Sequence, residues 1–405
     1  MSDNNGTRTA LTQVQVPTTP RDAALNIDWP PSLPRQRRPL TPEGTVLAPS
    51  RLLSAKFAYT TRHVERQVRH RPEGYRLTVG EAVRPRPGDV MLAEVVAIGQ
   101  HPRLESSVSR RAVMYPGDEI VVAYGHRYAP DQFEAEVPVD LGQTHLVAAG
   151  GVAGRVTARS QGIQPPTVLQ PRGLLTLDGG KVLALKDFAP YATRSPTEIA
   201  SLNGHRKRTP VIGVVGTSMN AGKSTTVASL ARGLTRAGRL VAAGKITGTG
   251  AGGDPSMYRD AGAATVLDFT DFGYASTYRL GHDEVRAVFV SVIHELVATG
   301  ADAVIVEVAD GVYQPETRRL LADPLFTEYV DQVLFSAVDA LSAVAGLQTL
   351  GGQGIQVAAV SGRFTSTPLT VREARGALDV PVLEAADLLE PDVATSLVPV
   401  AGGYR

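Results

Sequence analysis

The segment that most constrains the fold is a glycine-rich loop, residues 216–224, which reads GTSMNAGKS. It approaches the phosphate-binding pattern G-x-x-x-x-G-K-[ST], although five residues separate its glycines where the common form has four. The apolar run before it, residues 211–215, predicts a buried strand, and residues 223–237 predict a helix. A strand, a small-residue loop and a helix N-terminus together predict a cradle of N–H groups that binds phosphate oxygens.

The residue types in this loop predict separate roles. Gly222 lets the backbone approach a ligand closely, Lys223 supplies positive charge to β- and γ-phosphates, and Ser224 offers a hydroxyl to Mg²⁺. A chance glycine-rich turn is the alternative, and the flanking strand and helix argue against it. The residues that we predict to bind the nucleotide are Gly216, Thr217, Ser218, Met219, Asn220, Ala221, Gly222, Lys223, Ser224, Thr225 and Thr247.

The chain around and after this loop alternates between strand and helix patterns. Such repeated units predict a parallel sheet covered by helices on both faces. The predicted helices include 223–237, 282–298 and 339–350. The predicted strands are 211–215, 240–244, 302–308, 332–336, 356–360 and 381–384.

Residues 51–200 have a different pattern, with short apolar runs divided by glycine and proline. Runs at 89–98, 118–124, 151–157 and 181–185 predict strands of a small barrel or sandwich. We therefore predict an α/β chain in which a parallel-sheet P-loop NTPase domain, residues 205–405, follows a smaller β-rich domain. Residues 203–210 are expected to link the two.

Residues 1–50 are predicted to form a flexible tail, because prolines between 29 and 39 cannot continue a helix or a central strand. Arginines at 35, 37 and 38 are more consistent with a solvated tail than with a nucleic-acid or lipid site. A second group, at 62, 66, 69, 71 and 76, is more consistent with a solvated face than with a patch for an anionic ligand. We interpret the polar segment at 125–131 as a structural loop. A loop that contacts the substrate is the alternative.

Bulk composition excludes several classes of site. The 405 residues include no cysteine, which excludes disulfides and thiolate metal sites and is consistent with the cytoplasm, where we expect the protein. The net charge of +1 disfavours a nucleic-acid partner, and no apolar run is long enough to cross a membrane. We also expect the chain to form a homo-oligomer.

Charged residues follow two further predicted strands. Glu307 and Asp310 end the strand at 302–308, and Lys245 and Thr247 follow the strand at 240–244. Ligands collect beyond the carboxyl ends of parallel strands, so these side chains are expected to face the loop. Glu307 is predicted to bind the metal, and Lys245 to stabilise a transferring phosphoryl group. A helix cap is the alternative role for Asp310.

One more acidic residue is needed to complete a metal site. The candidates are Asp254, Asp260, Asp268 and Asp271, and the residues do not decide among them, since any one of them is more often a cap or a solvated group. Residues 361–363 follow the fifth predicted strand, and from this position we expect them to line the pocket for the nucleotide base. The guanine-reading pattern N-K-x-D is not visible at the late strand, which favours ATP.

At the loop, at Lys245-Ile-Thr-Gly248 and at Glu307, the chain resembles the dethiobiotin-synthetase-like P-loop proteins, whose loop has the same longer glycine spacing. The resemblance implies ATP and Mg²⁺ as cofactors, phosphate contacts from Lys223 and Lys245, and metal contacts from Ser224, Glu307 and, with a local departure, Asp254. Residues 247–262 and 307–311 also resemble an uncharacterised P-loop family, some of whose members are described as N-acetyltransferases of D-amino acids.

Three functions follow from these features. The first is an ATP- and Mg²⁺-dependent kinase or ligase that acts on a small molecule. The second is an acyl-CoA-dependent N-acyltransferase that uses the loop to hold the phosphates of coenzyme A. The third is a nucleotide-dependent switch with a macromolecular partner.

Overall fold

The computed structural model describes residues 44–178, 180–202 and 209–399, which all belong to one compact unit. The predicted tail at 1–50 and linker at 203–210 lie almost entirely outside these residues. The division into domains at 51–200 and 205–405 stays a prediction. Two sheets organise the described residues.

The described residues between 45 and 177 contain twelve short strands, and ten of them form the first sheet. The strands are β1 Thr45–Val46, β2 Lys56–Phe57, β3 Tyr75–Thr78, β4 Val90–Ala97, β5 Arg103–Glu105, β6 Arg111–Val113, β7 Glu119–Tyr124, β8 Arg127–Tyr128, β9 Phe133–Glu136, β10 Thr144–Ala148, β11 Val152–Arg159 and β12 Thr167–Leu177, of which β5 and β6 form a separate ribbon. The first four residues of β4 and residues 173–176 of β12 are buried without alternation, because both sides of these segments are enclosed.

Strand pairing closes this sheet into a barrel. β4 pairs with β7, β7 with β11, β11 with β10, β10 with β12, and β12 returns to β4. Closure removes free edges from these five strands. A barrel and a sandwich were the two predicted alternatives for the β-rich part of the chain, and this pairing is that of a barrel. Two helices, α1 Pro49–Ser54 and α2 Arg62–His70, lie beside it.

The second sheet has six parallel strands in the order β15-β14-β16-β13-β17-β18. All of its pairs are parallel, so the carboxyl ends of the strands share one edge. The strands are β13 Val211–Gly216, β14 Val241–Lys245, β15 Thr265–Asp268, β16 Ala303–Glu307, β17 Gln332–Ser336 and β18 Val357–Ser361.

Helices cover both faces of the parallel sheet. One apolar core includes Phe289, Phe326 and Phe335, and the core on the other face includes Leu230 and Ile305. The helices are α3 Pro196–Leu202, α4 Lys223–Arg236, α5 Gly253–Asp260, α6 His282–Ala298, α7 Pro315–Ala322, α8 Pro324–Tyr329, α9 Ala340–Gly351, α10 Pro368–Ala377, α11 Ala385–Leu388 and α12 Pro391–Ser396.

Most predicted elements of this half are confirmed to within one or two residues, and so is the predicted parallel sheet with helices on both faces. Two predicted strands are wrong. Residues 381–384 contribute a single bridge, Val360 to Val382, and residues 181–185 contribute bridges at Val182 and Ala184 before a short 3₁₀ turn. Strand β15 was not predicted. Among the described helices, none combines the length and apolar character needed to cross a bilayer.

Candidate nucleotide-binding site

The predicted phosphate loop connects β13 to α4 at the carboxyl edge of the parallel sheet. Gly222 lies at the N-terminus of α4 with φ 97°, a left-handed conformation that glycine adopts without steric cost. Asn220 also has a positive φ of 61°. These two positions fold residues 216–224 tightly, so that the loop ends at the free N–H groups of the first turn of α4.

Glycines from neighbouring loops leave room for this backbone. A Cβ on Gly311 would lie 2.2 Å from the carbonyl oxygen of Thr217, and one on Gly222 would lie 2.9 Å from the backbone nitrogen of Arg363. The N–H of Arg363 donates to the carbonyl of Ala221 at 2.8 Å. The phosphate loop is therefore held between the segments that follow β16 and β18.

Lys223 is buried, and its ammonium group folds back onto the loop. Its Nζ donates to the carbonyl oxygens of Ser218, at 2.8 Å, and Asp310, at 2.9 Å. Burial lowers the pKa of Lys223, against the raising effect of Glu307 and Asp310. Both hydrogen-bond acceptors are neutral carbonyls, and no carboxylate in the described part of the chain bonds directly to this ammonium group.

Lys245, Asp254 and Glu307 meet beside the loop. The Lys245 Nζ contacts Asp254 and lies 3.3 Å from Glu307 Oε1. Burial acts to lower the pKa of Lys245, but the two carboxylates together raise it above its usual value. Glu307 also accepts a hydrogen bond from the hydroxyl of Tyr258, a buried residue of α5.

Ser224 and Asp254 are the accessible oxygen donors of this group. Burial disfavours the charged form of Asp254, but Lys245 and the nearby Ser224 hydroxyl hold its pKa below the ordinary range. Hydroxyl and carboxylate oxygens suit Mg²⁺. Glu307, the other predicted metal ligand, is 2% exposed and is held by Lys245 and Tyr258.

Within the described ranges, no three His, Cys, Asp or Glu side chains group closely enough to hold a metal ion. The Ser224 and Asp254 pair fits a Mg²⁺ ion that arrives with a nucleotide, because Mg²⁺ commonly takes one or two carboxylates and completes its shell with phosphate oxygens and water. Assignment of Ser224, Asp254 and Glu307 to the metal stays a prediction.

Thr247 and Asp310 lie on the inner side of the site. The Thr247 hydroxyl oxygen accepts the N–H of Ala309 at 2.9 Å, so it fixes the segment after β16. Asp310 does not cap α7, since Gln314 fills that position and accepts the N–H of Thr317 at 2.8 Å. The carboxyl group of Asp310 is buried, which raises its pKa to about 6 against the lowering effect of Lys223.

A cleft of about 150 Å³ opens beside the first half of the phosphate loop. Residues of the barrel form one wall, because the loop at 125–131 lies against the phosphate loop. The side-chain amide of Asn220 donates to Asp131 Oδ2 at 2.7 Å. The residues that line the cleft are Tyr128, Pro130, Thr217, Ser218, Met219, Gly311, Tyr313, Gln314 and Pro315.

The other acids that were considered for the metal site lie elsewhere. Asp268 and Asp271 contact Arg62 of α2, and Tyr59 donates to Asp268 Oδ2 at 2.8 Å. His63 lies 3.0 Å from Asp271. This set, the Arg62 cluster, joins the barrel to the parallel sheet. Asp260 is exposed at the end of α5.

The arginines at 62–76 do not form one basic face. Arg62 is half-buried and pairs with Asp271 in the cluster just described, Arg69 pairs with Glu65, and Arg76 pairs with Asp178. Three of the five arginines are therefore paired with carboxylates, and neutralised charges attract phosphate backbones weakly. The arginines at 35, 37 and 38 lie outside the described residues.

Two contacts of the site were missed in the sequence. Tyr258 was hidden among the residues of a helix that was not predicted. Glu105 of the ribbon formed by β5 and β6 accepts the N–H of Gly252 at 3.0 Å, just before α5, which carries Asp254 and Tyr258. The spacing of Asp254 and Tyr258, four residues apart on one helical face, is the signal that could have identified Tyr258.

Comparison with known proteins finds partial matches among solved structures only. No protein-family model matches the sequence, and no curated protein matches it. The signal recognition particle receptor FtsY of Elizabethkingia anophelis is 17% identical over 53% of this chain and 69% of its own, with a TM-score of 0.32.

Two further solved structures are similar to the same extent. FtsY of Thermotoga maritima is 15% identical over 53% of this chain and 72% of its own, with a TM-score of 0.31. The 54 kDa signal recognition particle protein of Aeropyrum pernix, solved with GDP, is 20% identical over 47% and 48%, with a TM-score of 0.29. At these values the activities of those proteins do not transfer to this chain.

Proposed function

We propose that the chain is an ATP-dependent phosphotransferase or ligase that uses residues 216–225 to hold the triphosphate. The observation that carries this proposal is the arrangement of Lys223, whose buried charge is bonded only to neutral carbonyls. A buried charge without a bonded counter-ion is costly, and an anionic ligand removes that cost. The β- and γ-phosphates supply such a ligand at the N-terminus of α4.

Lys245 supports transfer of the γ-phosphoryl group. It lies at the end of β14, beside the loop, and its two carboxylate partners keep it charged and fixed. Preorganised positive charge stabilises the negative charge that spreads over the transferring group. Ser224 and Asp254 would hold Mg²⁺, which supplies further neutralisation of the phosphates when the nucleotide is bound.

The cleft beside Thr217, Ser218 and Met219 supports a small-molecule acceptor. It adjoins the half of the loop that precedes Lys223, and it is bounded by Gly311 and Tyr313, which follow β16. Its volume of about 150 Å³ is consistent with a small acceptor.

Replacement of the loop lysine tests this function. Lys223→Ala is expected to abolish release or transfer of the γ-phosphate from MgATP, while circular dichroism shows an unchanged fold. Arg236→Ala is the matched control, because it removes a cation from the exposed end of the same helix. Turnover that persists in Lys223→Ala would contradict the proposal.

A nucleotide-dependent switch is the second candidate, and one contact favours it. The hydrogen bond from Asn220 to Asp131 joins the phosphate loop to the barrel, so a change in the loop on binding would reach the barrel directly. Titration with ATP, GTP and acetyl-CoA separates the candidates. Phosphorylated product with ATP supports the enzyme, GTP binding with stoichiometric retention of GDP supports the switch, and CoA binding without Mg²⁺ supports the acyltransferase.

A further inference from the structure

The backbone of Asp310 is fixed in an uncommon conformation next to the phosphate loop. Its φ is 65°, in the left-handed region where Asp and Asn are the commonest non-glycine residues. Such conformations persist where the surroundings enforce them, and they concentrate at functional sites. Here the Lys223 Nζ binds the Asp310 carbonyl at 2.9 Å, so the position of Asp310 is tied to the group that holds the phosphates.

The carboxylate of Asp310 belongs to a buried residue, yet its oxygens are not fully enclosed by the described residues. The residue is 9% exposed, and no side chain or N–H of the described residues donates to its carboxylate. Buried carboxylates are normally paired or hydrogen-bonded, so this one is available to a ligand. The charged and titratable groups that face it are Lys223, Lys245, Glu307, Glu316, Arg127 and Tyr128.

Asp310 also lies beside the cleft proposed for the acceptor. The next residue, Gly311, and the cap residue Gln314 both line that cleft. Tyr128 also lines the cleft, and the Asp310 carboxylate adds to the effect of burial in raising the pKa of Tyr128. The carboxylate is therefore near enough to act electrostatically on a residue of the cleft, and Lys223 acts on it in turn by lowering its pKa.

We propose that Asp310 is the general base of this site, for an acceptor that carries a hydroxyl group. The inference rests on the phosphoryl transfer proposed above. The acceptor oxygen attacks the γ-phosphorus, the bond from that phosphorus to the β–γ bridging oxygen breaks, and ADP leaves with the electron pair. The acceptor proton passes to a carboxylate oxygen of Asp310.

The ionisation behaviour of Asp310 agrees with this role. Burial raises its pKa to about 6, so the group is ionised at neutral pH and is still a stronger base than an ordinary aspartate. The rate is then expected to rise with pH through about 6, because only the ionised carboxylate accepts the proton.

The test is the pH dependence of phosphate release from MgATP by the full chain, with water as the acceptor. Asp310→Asn keeps the size of the side chain and tolerates the left-handed backbone, so the fold is expected to remain. We expect kcat to fall about 100-fold, with the affinity for a fluorescent ATP analogue changed by less than about threefold. Asp392→Asn, on the exposed face of α12, makes the same chemical change away from the site.

The outcomes separate the inference from the function on which it rests. Asp310 is supported as the base if Asp310→Asn still binds the nucleotide but loses both turnover and the rise in rate near pH 6. If Lys223→Ala loses turnover while Asp310→Asn keeps both its rate and the rise in rate near pH 6, the inference is overturned and the function stands. If the wild-type protein releases no phosphate, or Lys223→Ala releases it normally, the proposed function fails first.

Discussion

The phosphate loop and the Arg62 cluster both bury charged groups, but they satisfy those charges in opposite ways. In the cluster, Arg62 faces Asp268 and Asp271, and Tyr59 donates to Asp268, so cation and anions neutralise one another. At the loop, Lys223 is bonded to carbonyl oxygens. Mutual neutralisation is typical of a structural junction, whereas charge left without a bonded counter-ion is typical of a binding site.

This contrast explains why two groups of acids that are close in sequence have different roles. Asp254 lies near Ser224 at the loop, while Asp268 and Asp271 serve the junction between the barrel and the parallel sheet. Each of the following substitutions tests whether a contact has a structural role or a binding role.

The largest effect is expected for Arg62→Met, which leaves Asp268 and Asp271 buried without their cation. Removing one partner from a buried ion pair typically costs about 3–5 kcal/mol, so we expect the free energy of unfolding in urea to fall by about 4 kcal/mol. Arg69→Met, which breaks an ion pair whose arginine is 58% exposed, should cost under about 1 kcal/mol. Equal losses in the two variants would show that the cluster is not a structural junction.

Asp310→Asn should change stability in the opposite direction. Because the folded pKa is raised from 3.8 to about 6, the ionised carboxylate destabilises the folded state, by about 3 kcal/mol at pH 7 and above. Wild-type protein is free of this penalty below pH 4 and acquires it as the pH rises through 6. Urea unfolding at pH 4 and pH 8 should therefore show a gain in Asp310→Asn that grows with pH, and a pH-independent difference would refute the burial of this charge.

Gly311→Ala tests how tightly the phosphate loop is fixed. The added Cβ would lie 2.2 Å from the Thr217 carbonyl, so either the loop or the segment after β16 must shift. We expect nucleotide affinity to fall about 100-fold, or about 2.7 kcal/mol, with the fold retained. Gly376→Ala is the control, since its Cβ would meet nothing within 4 Å. Unchanged affinity in Gly311→Ala would mean that the loop adapts freely.

The smallest effect belongs to the exposed bond between Asn220 and Asp131. A single hydrogen bond at an accessible site contributes about 0.5–1 kcal/mol, so a double-mutant cycle with Asn220→Ala and Asp131→Ala should give a coupling near 0.5 kcal/mol. A coupling above about 2 kcal/mol, present only with nucleotide bound, would favour the switch over the enzyme.

The sequence predicted those elements whose structure depends on residues that are close together along the chain. The strand, loop and helix around Lys223 have periodicity and glycine spacing that depend on neighbouring residues alone, and they were predicted to within one or two residues. The run at 381–384 has strand composition, but it extends past the edge strand β18 and makes one bridge. Strand β15 is four residues long, and acids at its end hid it among loop residues.

Long-range contacts account for the rest. Nothing near Glu105 indicates that it meets Gly252, and nothing near residues 125–131 indicates that they form a wall of the cleft. These pairings depend on how the barrel packs against the parallel sheet, where partners such as Asn220 and Asp131 are separated by 89 residues. Side-chain roles that depend on such contacts, including the free carboxylate of Asp310, appear only in three dimensions.

The most direct measurement is a calorimetric titration of the wild-type chain and of Lys223→Ala with MgATP under identical conditions. If the charge on Lys223 is held for phosphate, the wild-type protein binds and the variant binds at least about 30-fold more weakly, with a larger loss at low salt. Equal affinity in the two proteins, or no binding by the wild-type protein to MgATP or MgGTP, would contradict the assignment of residues 216–225 as a nucleotide-binding loop.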